Sequence, residues 1–128
     1  MNEKKILIVD DEASILKLLN LSFTRAGYRV LTAESGEDAL DLLKKETIHV
    51  MFFDLNLPNM DGLELCRKVK QYMPMTIIYA ITGYASLFHL AECLEAGFED
   101  YFKKPVNIST LIKRSEDAFT KIERWKRL

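Results

Sequence analysis

Two patterns of apolar residues alternate along the chain. Short, nearly continuous apolar runs, as in residues 6–9, predict strands that are buried on both faces of a sheet. Longer stretches in which apolar residues recur every three or four positions, as in residues 15–26, predict amphipathic helices. Strands are predicted over residues 4–9, 28–33, 50–54, 76–81 and 98–102, and a helix follows each of them.

Turn and capping residues set the limits of the predicted helices. Gly27 closes the first helix and Gly97 the fourth, as C-terminal caps do. Ser35 and Asp38 form a capping-box pattern that opens the second helix. The last helix is predicted to run from about Ile108 to the C-terminus.

Five strands that alternate with five helices predict a parallel sheet with helices on both faces. Right-handed crossovers leave few topologies, and a doubly wound sheet of order 2-1-3-4-5 is the common one at this length. We expect the 128 residues to form a single α/β domain, 1–128, because 48% hydrophobic residues suffice for its core. In this order the first and third strands are neighbours, and a crevice opens outside their carboxyl ends.

Polar or charged residues follow four of the five predicted strands. Asp10 and Asp11 come after the first strand, and Asp54 ends the third. Thr82 follows the fourth strand and Lys104 the fifth. Because the carboxyl ends of parallel strands meet at one edge, we expect these side chains to converge on the crevice. An ionised carboxylate after a buried strand is costly unless it reaches polar surroundings, which makes Asp54 the candidate working residue.

The three carboxylates predict a magnesium site. Carboxylates grouped in this way repel one another unless a cation lies among them, and an oxygen-rich site open to water suits Mg²⁺. Lys104 would compete with the metal, so its ammonium makes sense if a phosphoryl group binds beside it, with Thr82 as a neutral donor. The chain has no glycine-rich phosphate loop, so a nucleotide is not the obvious donor. We therefore predict that Asp54 is a nucleophile that accepts a phosphoryl group.

Charge balance, the N-terminal sequence and the cysteines exclude several classes of protein. The chain has 18 Lys and Arg against 19 Asp and Glu, and this net charge of −1 predicts binding to neither nucleic acid nor a membrane. The apolar run before Asp10 is too short for a signal peptide or a spanning helix, which predicts a cytoplasmic protein. Cys66 and Cys93 lie in separate helical patterns without metal-ligand spacing and are expected to be reduced packing residues.

The residues at the predicted strand ends match a known family. The chain resembles the receiver domain of two-component response regulators over essentially its whole length. The matching residues occur in the family's order: Asp10, Asp11, Asp54, Pro58, Asp61, Gly62, Thr82, Lys104 and Pro105. The resemblance implies a flavodoxin-like (βα)5 fold. It also implies that Asp54 receives a phosphoryl group from a phosphohistidine on a sensor histidine kinase or a histidine phosphotransfer protein.

The resemblance implies a ligand set for the metal as well. Asp11 and Asp54 would ligate Mg²⁺ directly, together with the backbone carbonyl of Asn56. Asp10 would act through a water molecule.

Two further residues would respond to the phosphoryl group. By the same resemblance, Lys104 would pair with the phosphoryl oxygens and Thr82 would hydrogen-bond one of them. The charge of the new group would draw both inward, and Tyr101 would rotate into the space that Thr82 leaves. The resemblance also implies a cis peptide bond between Lys104 and Pro105.

The face that reports this change would comprise the fourth helix, the fifth strand and the fifth helix. An effector domain, or a second copy of the chain in a homodimer, would bind there. Leu87 and Phe88 in the fourth helix are candidate partner residues, although apolar residues at such spacing more often belong to a core.

Other functions are open to the same fold. One is a small Mg²⁺-dependent phosphohydrolase with Asp54 as nucleophile, but such enzymes commonly have an acid/base carboxylate two residues later, where this chain has Asn56. Another is a flavin- or ligand-binding module, for which the acidic crevice is a poor electrostatic match. As a signalling module, the protein would promote its own phosphorylation and hydrolysis without turning over an external substrate. Tyr84, two residues after Thr82, would obstruct the hydrolytic water.

Overall fold

A computed structural model describes residues 3–84 and 87–128, with side chains over 3–84 and 89–128. Strands and helices alternate along the chain. The elements are β1 (Lys5–Val9), α1 (Ala13–Arg25), β2 (Arg29–Ala33), α2 (Gly36–Leu43), β3 (Val50–Asp54), α3 (Gly62–Tyr72), β4 (Ile77–Thr82), α4 (Leu87–Ala96), β5 (Asp100–Lys103) and α5 (Ile108–Lys126).

The five strands form one parallel sheet in the order β2-β1-β3-β4-β5, as the sequence predicts. β1 and β3 are direct neighbours, with Val9 opposite Phe53. β4 pairs with β3 on the other side, where Asp54 lies opposite Ile81. The carboxyl ends of the three central strands therefore lie side by side at one edge of the sheet.

Two hydrophobic cores cover the two faces of the sheet. Alternate residues along each strand point to opposite faces, so neighbours such as Leu7 and Ile8 belong to different cores. One core packs the sheet against α2, α3 and α4, and the other packs it against α1 and α5. Phe52 is fully buried in the second core, and its ring centroid lies 5.4 Å from that of Phe23 and 5.1 Å from that of Tyr79. Burial of large apolar side chains on both faces fixes the strand ends that carry the polar residues.

Among the helices whose N-cap residues the structure describes, three begin with a side-chain cap. The Ser35 side chain accepts a hydrogen bond from the Asp38 N–H at 3.1 Å, which confirms the predicted capping box at α2. Asp61 caps α3 and Asn107 caps α5 in the same way. α1 differs, because its N-cap residue Glu12 makes no side-chain cap hydrogen bond.

The start of one predicted strand is two residues too early. β5 begins at Asp100, whereas the sequence predicts a start at Phe98. Gly97 has φ +112°, which ends α4, and the Phe98 N–H returns to the Cys93 carbonyl at 2.9 Å. Phe98 is therefore a buried residue of the helix-terminating turn rather than the first residue of the strand.

Both cysteines are free and buried, as predicted. Burial raises the pKa of the Cys66 thiol to about 12 and that of Cys93 to about 11, so both remain protonated and unreactive. The Cys66 thiol also donates to the Ala96 carbonyl at 3.5 Å, which joins α3 to the end of α4.

No helix within the described ranges is both long and apolar enough to pass through a lipid bilayer.

The α3 N-terminus approaches the end of β3 so closely that only glycine fits. The Gly62 N–H donates to the Leu55 carbonyl at 3.0 Å. A Cβ atom at Gly62 would lie 2.8 Å from Leu55 Cα and in contact with the carbonyl oxygen of Asp54, which are backbone atoms that cannot turn away. Gly62 thus lets the N-terminus of α3 pack directly against the backbone of Asp54 and Leu55.

We expect Gly62→Ala to lower the free energy of unfolding by about 1–3 kcal/mol, since backbone must move to admit the methyl group. Urea denaturation measures this loss. Gly83→Ala is the matched control, because a Cβ atom there meets nothing within 4 Å. An equal effect of the two substitutions would contradict the packing argument.

Candidate functional site

Polar residues meet at the carboxyl edge of the sheet, where four of the strands end. Asp10 follows β1 and Asp54 ends β3, and both are buried, with 1% and 4% of their surfaces exposed. Thr82 ends β4 and is also buried, and Lys104 follows β5. The structure thereby brings together the residues that the sequence predicts at the crevice.

Three carboxylates form the centre of this site. One oxygen from each of Asp10, Asp11 and Asp54 can be chosen so that all three lie within 4.8 Å of one another. Backbone N–H groups orient two of them: the Glu12 N–H donates to Asp10 Oδ1 at 2.9 Å, and the Asn56 N–H donates to Asp54 Oδ1 at 3.1 Å. The local turn after each strand therefore sets the direction of its carboxylate.

Lys104 reaches across the site to three acidic residues. Its Nζ lies 3.1 Å from Asp10 Oδ2, 3.2 Å from Glu12 Oε1 and 3.4 Å from Asp54 Oδ2. The Lys104 backbone N–H donates to the Thr82 carbonyl at 2.7 Å, so the ends of β4 and β5 are joined. Lys103 is exposed, as strand alternation predicts, and the bond between Lys104 and Pro105 is cis.

Charge is unbalanced in the site. Burial raises the pKa of Asp10, even though the Glu12 N–H and Lys104 act to lower it. Burial alone would lower the pKa of Lys104, but its contacts with Asp10, Asp54 and Glu12 outweigh this effect and raise it. The ammonium therefore stays charged, yet it faces more carboxylates than it can neutralise.

The side chains present fit a divalent cation. Asp10 Oδ2 is buried and accepts no hydrogen bond of good geometry, although the Lys104 ammonium lies close to it. The donor atoms of the three aspartates are all carboxylate oxygens, which are the ligands of hard cations such as Mg²⁺. Asp11 is exposed and keeps one side of the group open to solvent.

The Thr82 hydroxyl has two partners in its own loop. It donates to the Tyr84 carbonyl at 2.9 Å and accepts from the Tyr84 N–H at 3.1 Å. The Tyr84 side chain is 69% exposed, and its ring centroid lies 5.1 Å from that of His89. Together with Asn56 and other residues, they line an open cavity of about 430 Å³.

Tyr101 is half-buried on β5, opposite Ala80 of β4, and packs against the core that includes α4. Its rotation is not tested by this structure and stays a prediction. The side chains of the candidate partner residues Leu87 and Phe88 are not among those that the structure describes.

Sequence patterns do not predict two of the contacts in the site. Glu12 is plainly acidic, but its contact with Lys104 is not expected, because the two residues are 92 positions apart. The bonds between Thr82 and Tyr84 are also not expected, since a turn conformation decides them. Apolar patterning, the signal that locates strands, carries no information about either contact.

A family model described as the response regulator receiver domain matches residues 6–116. The chain belongs to this family. The match covers the sheet from the second residue of β1 onward and the loops that carry the acidic residues, Thr82 and Lys104.

Characterised relatives include transcription regulators. The alkaline phosphatase synthesis transcriptional regulatory protein PhoP of Bacillus subtilis is 38% identical over 122 residues, which are 90% of this chain and 51% of that protein. The transcriptional regulatory protein AfsQ1 of Streptomyces coelicolor is 36% identical over 119 residues, with 93% of this chain and 52% of that protein covered. The chain spans about half of each of these relatives.

Solved structures share the fold closely. A CheY-like receiver domain protein from Methanospirillum hungatei superimposes with a TM-score of 0.91 at 33% identity, covering 96% of this chain and 98% of that one. The response regulator DrrB of Thermotoga maritima gives a TM-score of 0.86 at 33% identity, covering 94% of this chain and 54% of that one.

The predicted fold and family are therefore confirmed. The chain is a receiver domain of a two-component response regulator, and receiver domains are signalling modules. The comparisons offer no support for the phosphohydrolase alternative.

Removing one charge from the acidic group should stabilise the protein when divalent cations are absent. In a chelator at neutral pH, we expect Asp11→Asn to raise the free energy of unfolding by about 1 kcal/mol, because like charges at this separation repel by that order. Urea denaturation measures the change. Glu34→Gln is the control, since it removes an exposed carboxylate outside the group. A destabilised Asp11→Asn protein would contradict the assigned repulsion.

Proposed function

We propose that Asp54 is the phosphoacceptor and that it takes a phosphoryl group from a phosphohistidine on a sensor histidine kinase or a histidine phosphotransfer protein. The observation that supports this most directly is the setting of Asp54. Its carboxylate ends the central strand β3, beside two further aspartates and 3.4 Å from the Lys104 ammonium. Such a site can hold a cation and an anionic group side by side.

The transfer is a single displacement at phosphorus. A carboxylate oxygen of Asp54 forms the new P–O bond as the P–N bond to the donor imidazole breaks. The electron pair of that bond returns to the ring nitrogen, and the imidazole leaves neutral if its other nitrogen carries the proton. Lys104 neutralises charge on the phosphoryl oxygens, and Thr82 donates a hydrogen bond to one of them.

The proposed cofactor is Mg²⁺. Asp11 and Asp54 would hold it directly with the backbone carbonyl of Asn56, and Asp10 would hold it through water. When bound, the ion offsets the combined negative charge of the carboxylates and the phosphoryl group.

Phosphorylation would change the hydrogen bonds of Thr82. In this structure its hydroxyl donates to the Tyr84 carbonyl, so it must leave that acceptor before it can serve a phosphoryl oxygen. Tyr101 lies on the neighbouring strand and would move into the space that Thr82 leaves. The face of α4, β5 and α5 would then present a different surface to an effector domain or to a second copy of the chain.

The whole protein would act through that surface rather than by turnover of a substrate. We propose that residues 1–128 form a single domain that works in the cytoplasm and binds neither nucleic acid nor a membrane by itself. Its own chemistry would be limited to accepting the phosphoryl group and losing it to water.

Incubation with acetyl phosphate and Mg²⁺ should give one acid-stable, base-labile phosphoryl adduct, detected by intact mass spectrometry. Asp54→Asn should abolish the adduct, because the amide cannot replace the carboxylate nucleophile. Asp41→Asn is the matched control, since Asp41 is an exposed α2 residue that pairs with Lys44. An adduct that persists in Asp54→Asn, or sustained phosphate release from a panel of monoesters, would contradict the proposal.

Tyr84 should slow the loss of phosphate. Its exposed side chain lines the cavity beside Asn56 and Thr82, where it can obstruct the hydrolytic water. We expect Tyr84→Ala to lose its phosphoryl group faster than the unaltered protein. Tyr84→Phe keeps the ring and should lose the group at the same rate as the unaltered protein. An unchanged or slower rate in Tyr84→Ala, measured as loss of the adduct with time, would count against this role.

A further inference from the structure

Glu12 is a partner of Lys104 that lies outside the three-aspartate group. Its Oε1 atom lies 3.2 Å from Lys104 Nζ, closer than Asp54 Oδ2 at 3.4 Å. The geometry satisfies a hydrogen bond as well as an ion pair. Lys104 has only 17% of its side chain exposed, whereas 57% of the Glu12 side chain is exposed. The ammonium is thus held inside the site by a carboxylate that approaches from its rim.

The side chain of Glu12 does not cap the helix that it begins. Glu12 is the N-cap residue of α1, where a side chain commonly accepts a hydrogen bond from the first turn of the helix. Here the side chain makes no such bond and reaches Lys104 instead. Its backbone N–H meanwhile orients Asp10 at 2.9 Å. Glu12 therefore serves the site with both its main chain and its side chain.

The three partners of Lys104 differ in what happens to them when a cation binds. Asp10 and Asp54 belong to the group that fits the cation, so their charges are shared with it. Glu12 is not in that group, and its charge remains available to Lys104. With a cation present, we therefore expect Glu12 to be the partner of Lys104 whose charge is least shared.

We propose that Glu12 is a positioning residue that holds Lys104 in the unphosphorylated state and competes with the phosphoryl group for its ammonium. This inference rests on the proposed phosphorylation of Asp54. When Lys104 turns to the phosphoryl oxygens, Glu12 loses its partner and is left near a new negative charge. The contact therefore favours the unphosphorylated state and links the site to the N-terminus of α1.

The test measures the affinity for beryllofluoride, a tetrahedral phosphoryl mimic, by calorimetry with saturating Mg²⁺. We expect Glu12→Gln to bind it about two- to fivefold more tightly than the unaltered protein, which is the effect of an ion pair of this exposure. The affinity for Mg²⁺ is measured separately for each variant. The affinities for beryllofluoride are then compared with the cation site fully occupied in every variant.

Two controls separate competition for Lys104 from a general effect of charge. Glu34→Gln removes an exposed carboxylate that follows β2 at the same edge of the sheet. This substitution should raise the affinity for beryllofluoride only slightly. In a Lys104→Met background, the gain from Glu12→Gln should disappear, since the shared ammonium is gone. Circular dichroism verifies that each variant is folded.

Tighter binding in Glu12→Gln that depends on Lys104 supports the proposal. Equal or weaker binding, a gain no larger than that of Glu34→Gln, or a gain that persists without Lys104 would overturn it. Each of these results leaves the Asp54 adduct of the unaltered protein intact. Failure of the proposed function would instead appear as an unaltered protein that forms no adduct at Asp54.

Discussion

Repulsion among carboxylates at the edge of a parallel sheet is the constraint that this fold must satisfy. Oxygen atoms of Asp10, Asp11 and Asp54 lie within 4.8 Å of one another. The Lys104 ammonium pairs with Asp10 and Asp54 and neutralises only part of the combined negative charge. The local turns do not provide the free energy that keeps them together. It comes from the two apolar cores, because strands anchored by residues such as Phe52 cannot shift apart to relieve the repulsion.

The side chains of the site come from distant parts of the chain because they lie at the ends of different strands of the sheet. Lys104 and Asp54 are 50 residues apart, yet Lys104 reaches from the end of β5 past β4 so that its Nζ lies 3.4 Å from an oxygen of Asp54 at the end of β3. Asp10 and Asp11 follow β1 and Asp54 is the last residue of β3, so all three aspartates are placed directly by the packed sheet. The site thus combines carboxylates placed by the sheet with a loop in which the Thr82 hydroxyl is bonded to its near neighbour Tyr84.

Much of this arrangement could be predicted from the sequence, because it is determined by main-chain geometry. Apolar runs that end in Asp10 and Asp54 identify buried parallel strands, and such strands place the residues after them at one edge. The choice of partners by side chains could not be predicted. The contact of Glu12 with Lys104 depends on the conformations of two long side chains, and the hydrogen bonds of Thr82 depend on the conformation of one turn. The strand prediction includes Phe98 because an apolar residue in a helix-ending turn has the same pattern as one in a strand.

The main-chain hydrogen bond from Lys104 to Thr82 has a consequence for how the domain responds to phosphorylation. At 2.7 Å it joins the main chains of the two residues proposed to contact the phosphoryl group, so displacing one strand end alone would cost this bond. Independent, graded adjustment of the two is thereby disfavoured. A movement that begins at one of these strand ends is therefore passed to the next strand through the main chain, without the need for a side-chain contact between them.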